Sequence, residues 1–213
     1  MPSSSTQAAC SSSYSCPDYA DVKQGWYRPG GGLLRQRPIL LDMLLNISGT
    51  RVLKRLDHEN IIQYYGTDED EEKLYIFLEL VSHGTLEQAY KNCPFKESQV
   101  SHYTRQILQG LKYLHGCNVI HRDLKCANIL VTESGNIKLA DFGLSKFMED
   151  GQSLEHGVGS SYWMAPEVAN PKSGGYDFRA DTWSLGCTVV EMLTRKYPQY
   201  FQDHVLKKKK LTP

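Results

Sequence analysis

His121-Arg122-Asp123-Leu124-Lys125-Cys126-Ala127-Asn128, followed along the chain by Asp141-Phe142-Gly143 and Ala165-Pro166-Glu167, is the stretch on which the reading of this sequence turns. Its residue types suit phosphoryl transfer. A carboxylate at Asp123 can orient a substrate hydroxyl and accept its proton. The amide oxygen of Asn128, further along the same loop, can reach a metal ion, and Asp141 supplies the charged oxygen that a hard cation such as Mg²⁺ needs against phosphate. Lys125 can neutralise charge developing on the transferred group. A lone His-Arg-Asp or Asp-Phe-Gly carries little weight, because Asp and Gly are common in turns for backbone reasons. Three such motifs in order, with strand-like runs between them, carry far more.

The surrounding words narrow the pattern: His58-Glu59-Asn60-Ile61 to Gly66-Thr67, Lys125 to Leu130, Leu139-Ala140-Asp141-Phe142-Gly143-Leu144, Tyr162-Trp163-Met164-Ala165-Pro166-Glu167-Val168 and Trp183-Ser184-Leu185-Gly186-Cys187-Thr188. From about Arg51 to Tyr197 the sequence resembles the eukaryotic protein kinases. Lys125 points to the serine/threonine branch, and the words together are most similar to the MAP kinase kinase kinases of the plant MEKK-like type.

That resemblance implies ATP and Mg²⁺ as cofactors and a MAP kinase kinase as protein substrate, with Asp123, Lys125 and Asn128 catalytic and Asn128 and Asp141 on the metal. It places Leu78 at the gatekeeper position, backbone groups of Glu79 and Val81 against the adenine, and Leu130 beneath it. His121 and Phe142 are expected to stack. In the activation segment, Arg122 and Lys146 resemble a phosphate-clamping basic pair. Ser153 and Ser161 are candidate phosphosites, although serine is also common in solvated loops. Ser160 stands where its hydroxyl would bridge Asp123 and Lys125, and Asp181 where it would accept hydrogen bonds from the catalytic-loop backbone.

The resemblance implies an α+β, protein-kinase-like fold with a mostly helical large lobe and a remnant of a β-rich small lobe, and periodicity marks its individual elements. Ile61 to Thr67 and Leu74 to Leu80 read as antiparallel strands around an acidic turn at Asp68 to Glu72. Ser98 to His115 carries Val100, Tyr103, Ile107, Leu111 and Leu114 at helical spacing, with Gly116 placed to end the helix. Ile129 to Val131 and Ile137 to Ala140 flank a Glu133 to Asn136 turn, a hairpin with Asn128 at one end and Asp141 at the other. Asp181 to Leu193 reads as a central helix, apolar nearly all round. The expected organisation is an irregular segment 1–38, a partial small lobe and hinge 39–81, a partial large lobe 82–200 and a basic tail 201–213.

The two ends hold less than the family leads one to expect. Between Met1 and Asp57 no G-x-G-x-x-G loop follows a strand, Gly30-Gly31-Gly32 reads as linker, Lys23 and Lys54 are the only lysines, and no glutamate occurs before Glu59. The usual lysine–glutamate pair therefore has no members here. Leu40 to Leu56 reads as a stub of the regulatory helix. Truncation at both ends is the expectation for these 213 residues, with Glu167 left as an unpaired carboxylate because its usual arginine comes from later helices. Lys207 to Lys210 reads as a solvated tail.

Formal net charge is zero, with 24 basic and 24 acidic residues, which argues against a dominant nucleic-acid role. The six cysteines form no Cys-x-x-Cys pair and read as reduced intracellular thiols. With no apolar run long enough to span a bilayer and no signal-peptide pattern, a cytosolic, membrane-free protein is expected. Three readings follow: a kinase, a catalytically impaired scaffold that docks a cascade partner, and an unstable fragment exposing apolar surface.

Overall fold

The computed structural model describes residues 49–69, 74–149, 153–154, 157–170, 172 and 174–198. The segment 1–38, the first residues of the helix stub, the Asp70 to Glu72 part of the acidic turn and the lysine run lie outside the described residues. The chain divides into two units, Met1–Arg37 and Pro38–Pro213, and every described residue belongs to the second.

A helical stretch over residues 49–53 opens the described chain, and Val52, Leu53 and Leu56 drop into the main core. The next residues add to the molecule edge-on: Ile62 N–H donates to Leu139 O (2.9 Å) and Leu139 N–H to Asn60 O (2.8 Å), with Ile61 bridged in parallel to Leu139. Ile61 therefore belongs to this bridge and not to the first strand pair. That pair is β1 (Tyr64–Glu69) against β2 (Leu74–Leu78), antiparallel with an irregularity between Tyr64 and Gly66. Asp68 and Glu69, expected in the turn, are paired with Tyr75 and Leu74, since strand pairing continues until the chain must reverse.

Helix α1 (Leu86–Asn92) starts at a capping box in which Thr85 Oγ1 accepts from Gln88 N–H (3.2 Å) and Gln88 Oε1 accepts from Thr85 N–H (3.0 Å), satisfying two donors that a helix start otherwise leaves open. Helix α2 (Glu97–Gly116) buries Val100, Tyr103, Ile107, Leu111 and Leu114, the stripe its spacing predicts, at roughly 1.5–3 kcal/mol for each large apolar side chain. The left-handed residue after it is Asn118 (φ 55°), not Gly116, as asparagine tolerates that conformation. Strand β3 (Val119–Ile120) leads into the loop of the opening motif. A 3₁₀ turn (Cys126–Asn128) and the hairpin β4 (Ile129–Val131) with β5 (Ile137–Leu139) follow, and β6 (Lys146–Phe147) pairs back on β3.

The short helix α3 (Pro166–Ala169) and the long α4 (Arg179–Thr194) complete the described chain. Among the described residues, three two-stranded sheets and these helices make the mixed α+β architecture. The expectation that this helix is apolar nearly all round over Asp181 to Leu193 is corrected. Its buried face carries Asp181, Ser184, Thr188 and Glu191 beside Ala180, Leu185 and Met192, while Val190 and Leu193 are 47% and 54% exposed. Thr188 tolerates burial because its hydroxyl donates to the carbonyl one turn earlier, Ser184 O (2.8 Å), and Ser184 because its hydroxyl donates to Trp163 O (2.8 Å) with Ala180 O as the longer alternative (3.1 Å). No described helix is long and apolar enough to cross a membrane.

Candidate active site

Asp123 is the centre of a closed hydrogen-bond cluster. Its Oδ2 accepts from Lys125 Nζ (2.7 Å) and Asn128 Nδ2 (2.8 Å), and its Oδ1 from the Ser160 hydroxyl (2.7 Å) and backbone N–H (3.0 Å). Lys125 Nζ also donates to Ser160 Oγ (2.6 Å). Burial alone would raise the Asp123 pKa, but the donors from Lys125, Ser160 and Asn128 together outweigh it and hold the carboxyl below its ordinary value. The structure thus brings Asp123, Lys125, Asn128 and Ser160 together from a loop and a distant segment.

Asp181 holds the loop from below. Its Oδ2 accepts His121 N–H (2.9 Å) and the His115 ring (2.9 Å), and its Oδ1 accepts Arg122 N–H (2.9 Å). Arg122 sits at φ 74°, a conformation that costs a non-glycine residue about 1–3 kcal/mol unless its surroundings enforce it. The two amides on Asp181 are that enforcement.

The hairpin carries the remaining oxygen donors. Ala140 N–H donates to Asn128 O (2.9 Å), so Asp141 stands next to Asn128 across the strands. Asn128 spends its amide donor on Asp123 O and Oδ2 (both 2.8 Å), which leaves its carboxamide oxygen as the group to offer. Asp141 is exposed, at φ 58°. No cluster of three His, Cys, Asp or Glu side chains occurs among the described residues. The Asn128 amide oxygen and the Asp141 carboxylate are hard donors, and they fit a small divalent ion that completes its shell with water and phosphate oxygens. His121 and Phe142 are in contact at 5.0 Å between centroids but tilted by 56°, not stacked in parallel.

At the hinge, Glu79 N–H already donates to Gln63 O (2.9 Å), so its carbonyl is what Glu79 has for an adenine. Its side chain is tied too, accepting Gln63 N–H (2.9 Å) and pairing with Lys138 (2.8 Å). Leu78, Val81 and Leu130 are half-buried and pack against the main core.

The activation segment is anchored at several points. Lys146 lies in β6 opposite Ile120, while the Arg122 guanidinium lies over the Tyr176 ring (5.9 Å). Ser153 Oγ donates to Gly174 O (3.0 Å) and Leu154 bridges Tyr176; Ser161 is exposed. Glu167 is half-buried and interacts with neighbouring groups, which corrects its expected isolation, while Arg179 at the start of α4 pairs with Asp177 (2.9 Å). Gly159 has φ 116°, and a Cβ there would stand 2.5 Å from Arg122 O. Gly159→Ala should therefore cost about 1–3 kcal/mol of stability. By pulling Ser160 off Asp123 it should also slow any transfer at this site roughly tenfold to a hundredfold. A thermal melt and a rate measured on the same sample check both.

Sequence reasoning did not mark Glu191, which is fully buried in α4 and accepts hydrogen bonds from Tyr90, Cys126 and Trp163. The available signal was a glutamate inside the run Val189-Val190-Glu191-Met192 of a buried helix.

Residues 46–212 match the protein kinase domain, and the chain belongs to that family. Within it, the chain is 57% identical over 147 residues to mitogen-activated protein kinase kinase kinase 1b of Physcomitrium patens, covering 69% of this chain and 19% of that protein. It is 54% identical over 149 residues to mitogen-activated protein kinase kinase kinase 1 of Arabidopsis thaliana, covering 70% and 24%. It is 40% identical over 191 residues to serine/threonine-protein kinase dst2 of Dictyostelium discoideum, covering 84% and 16%. The chain thus spans a quarter or less of the length of these relatives.

Proposed function

We propose that this chain carries the phosphoryl-transfer site of a serine/threonine protein kinase of the MAP kinase kinase kinase type, moving the γ-phosphoryl group of ATP to a serine or threonine hydroxyl of a MAP kinase kinase in the cytoplasm. The single observation that supports it best is the Asp123 cluster: an ionised, oriented carboxylate with a lysine on one oxygen and the Ser160 hydroxyl on the other.

In this reading the substrate hydroxyl takes a place on Asp123 and gives up its proton there, while its oxygen bonds to the γ-phosphorus and the bond to ADP breaks. Lys125 neutralises charge on the moving group. Asn128 and Asp141 would hold Mg²⁺, which supplies charge neutralisation on the phosphates. Glu79 and Val81 offer backbone groups, and Leu130 an apolar face, to the adenine. Arg122 and Lys146 provide positive charge for a phosphate on Ser153 or Ser161. The described residues within 39–81 and within 82–200 correspond in this reading to the two partial lobes.

A second reading, a scaffold that binds a cascade partner without catalysis, draws on the sequence before His58, which holds neither the glycine-rich loop nor the lysine–glutamate pair. Purified chain, incubated with Mg-ATP and a catalytically dead MAP kinase kinase beside an Asp123→Asn control, separates the two. Transfer that disappears in the control is the expected result. Folded wild-type chain that transfers nothing would leave the scaffold reading.

A further inference from the structure

Helices α2 and α4 pack against each other, and a groove of about 530 Å³ runs between them. Its apolar lining includes Val100 and Leu108 from α2 and Val189 and Leu193 from α4. Leu108 and Leu193 are 50% and 54% exposed. One exposed leucine is ordinary, but two on a single concave face mark a surface that gains from being covered.

The charges along the groove identify what covers it. Glu97, Ser101 and Arg105 line it from α2 at intervals of four, so they form one ridge of the helix with Ser101 at its midpoint. The helix rise sets Glu97 and Arg105 about 12 Å apart along the axis. Both are exposed, and neither belongs to a salt bridge among the described residues. A carboxylate and a guanidinium spaced equally about a small residue make a pattern that complements itself: reversing the helix direction exchanges the signs. A second α2, antiparallel about a two-fold axis at Ser101, sets Glu97 of each copy against Arg105 of the other, and the small serine lets the helices approach where they cross.

We propose that the α2–α4 groove is a homodimer interface, occupied by a second copy of this chain seated antiparallel with two symmetric Glu97–Arg105 pairs. Such an isologous contact closes at two copies. It goes beyond the phosphoryl-transfer reading and does not depend on it.

Sedimentation velocity on the full chain tests this, with Arg105→Glu, Glu97→Arg and the double variant that exchanges the two charges, each checked for folding by circular dichroism. Wild type should sediment as a dimer at about 10 μM, within the range where interfaces of ordinary size associate. Each single reversal sets like charges together at two symmetric places and should weaken association about tenfold to a hundredfold. An equimolar mixture of the two single variants should form heterodimers, because every glutamate then meets an arginine, and the double variant should dimerise as wild type does. Ser101→Cys should cross-link to its counterpart on oxidation, mapped by mass spectrometry, since helices packed about 8–10 Å apart bring residues on the axis within disulfide reach. A wild-type monomer at that concentration overturns the proposal and leaves the groove to another segment of this chain or to a different protein. A dimer indifferent to Arg105→Glu overturns it as well, as does assembly beyond two copies. If one single variant fails to fold, the other and the double variant decide.

Discussion

Asp181→Ala should lower the unfolding free energy by about 3–5 kcal/mol, the largest stability loss expected from a single change in the described chain. The carboxylate is fully buried and accepts the amides of His121 and Arg122 together with the His115 ring. Alanine removes all three acceptor contacts and supplies no replacement. Each buried donor left without this partner costs roughly 1–3 kcal/mol, and Arg122 loses the bond that holds its left-handed backbone. Asp181→Asn keeps one carbonyl oxygen and should fall between wild type and alanine. Urea unfolding followed by circular dichroism measures the series, and a loss below about 1 kcal/mol for alanine would show that the loop is held by other contacts.

Asp123→Asn should reduce transfer about 10²- to 10⁴-fold, the usual worth of a positioned general base, while the chain stays folded. Asparagine can still accept from Ser160 or Lys125 but cannot take a proton from a hydroxyl. The carboxyl is held below its ordinary range, so it is ionised throughout neutral pH. Its contribution to stability is present above the unfolded-state value and is lost only as pH falls through the lowered folded value. Transfer should consequently show no acid limb from Asp123 between about pH 5 and 8. A limb in that range that persists in Ser160→Ala would assign the titration to a different group.

Local regularity is what made much of this fold legible. The stripe from Val100 to Leu114 marks α2 because residues three and four apart share a helix face, and Gly135 at φ 78° sits in the turn read between β4 and β5. The two-residue partners β3 and β6 could not be read, since so short a run has no period. The helix α4 misled for a physical reason: Ser184 and Thr188 hide their hydroxyls against backbone carbonyls, so polar letters occupy buried positions. The catalytic letters announced Asp123, Lys125 and Asn128, whereas the bridging place expected for Ser160 came from the family resemblance alone, because it forms only when the activation segment folds back. Glu191 needed partners from three separate elements, which no local spacing displays.

Cys126 lies beside that carboxylate, fully buried, with burial pushing its thiol far above the ordinary range. Thiolate is the reactive form, so an alkylating reagent can reach Cys126 only after the loop lifts away from α4. Its slow modification, set against that of exposed Cys93, would act as a built-in clock for the opening of the loop that carries Lys125.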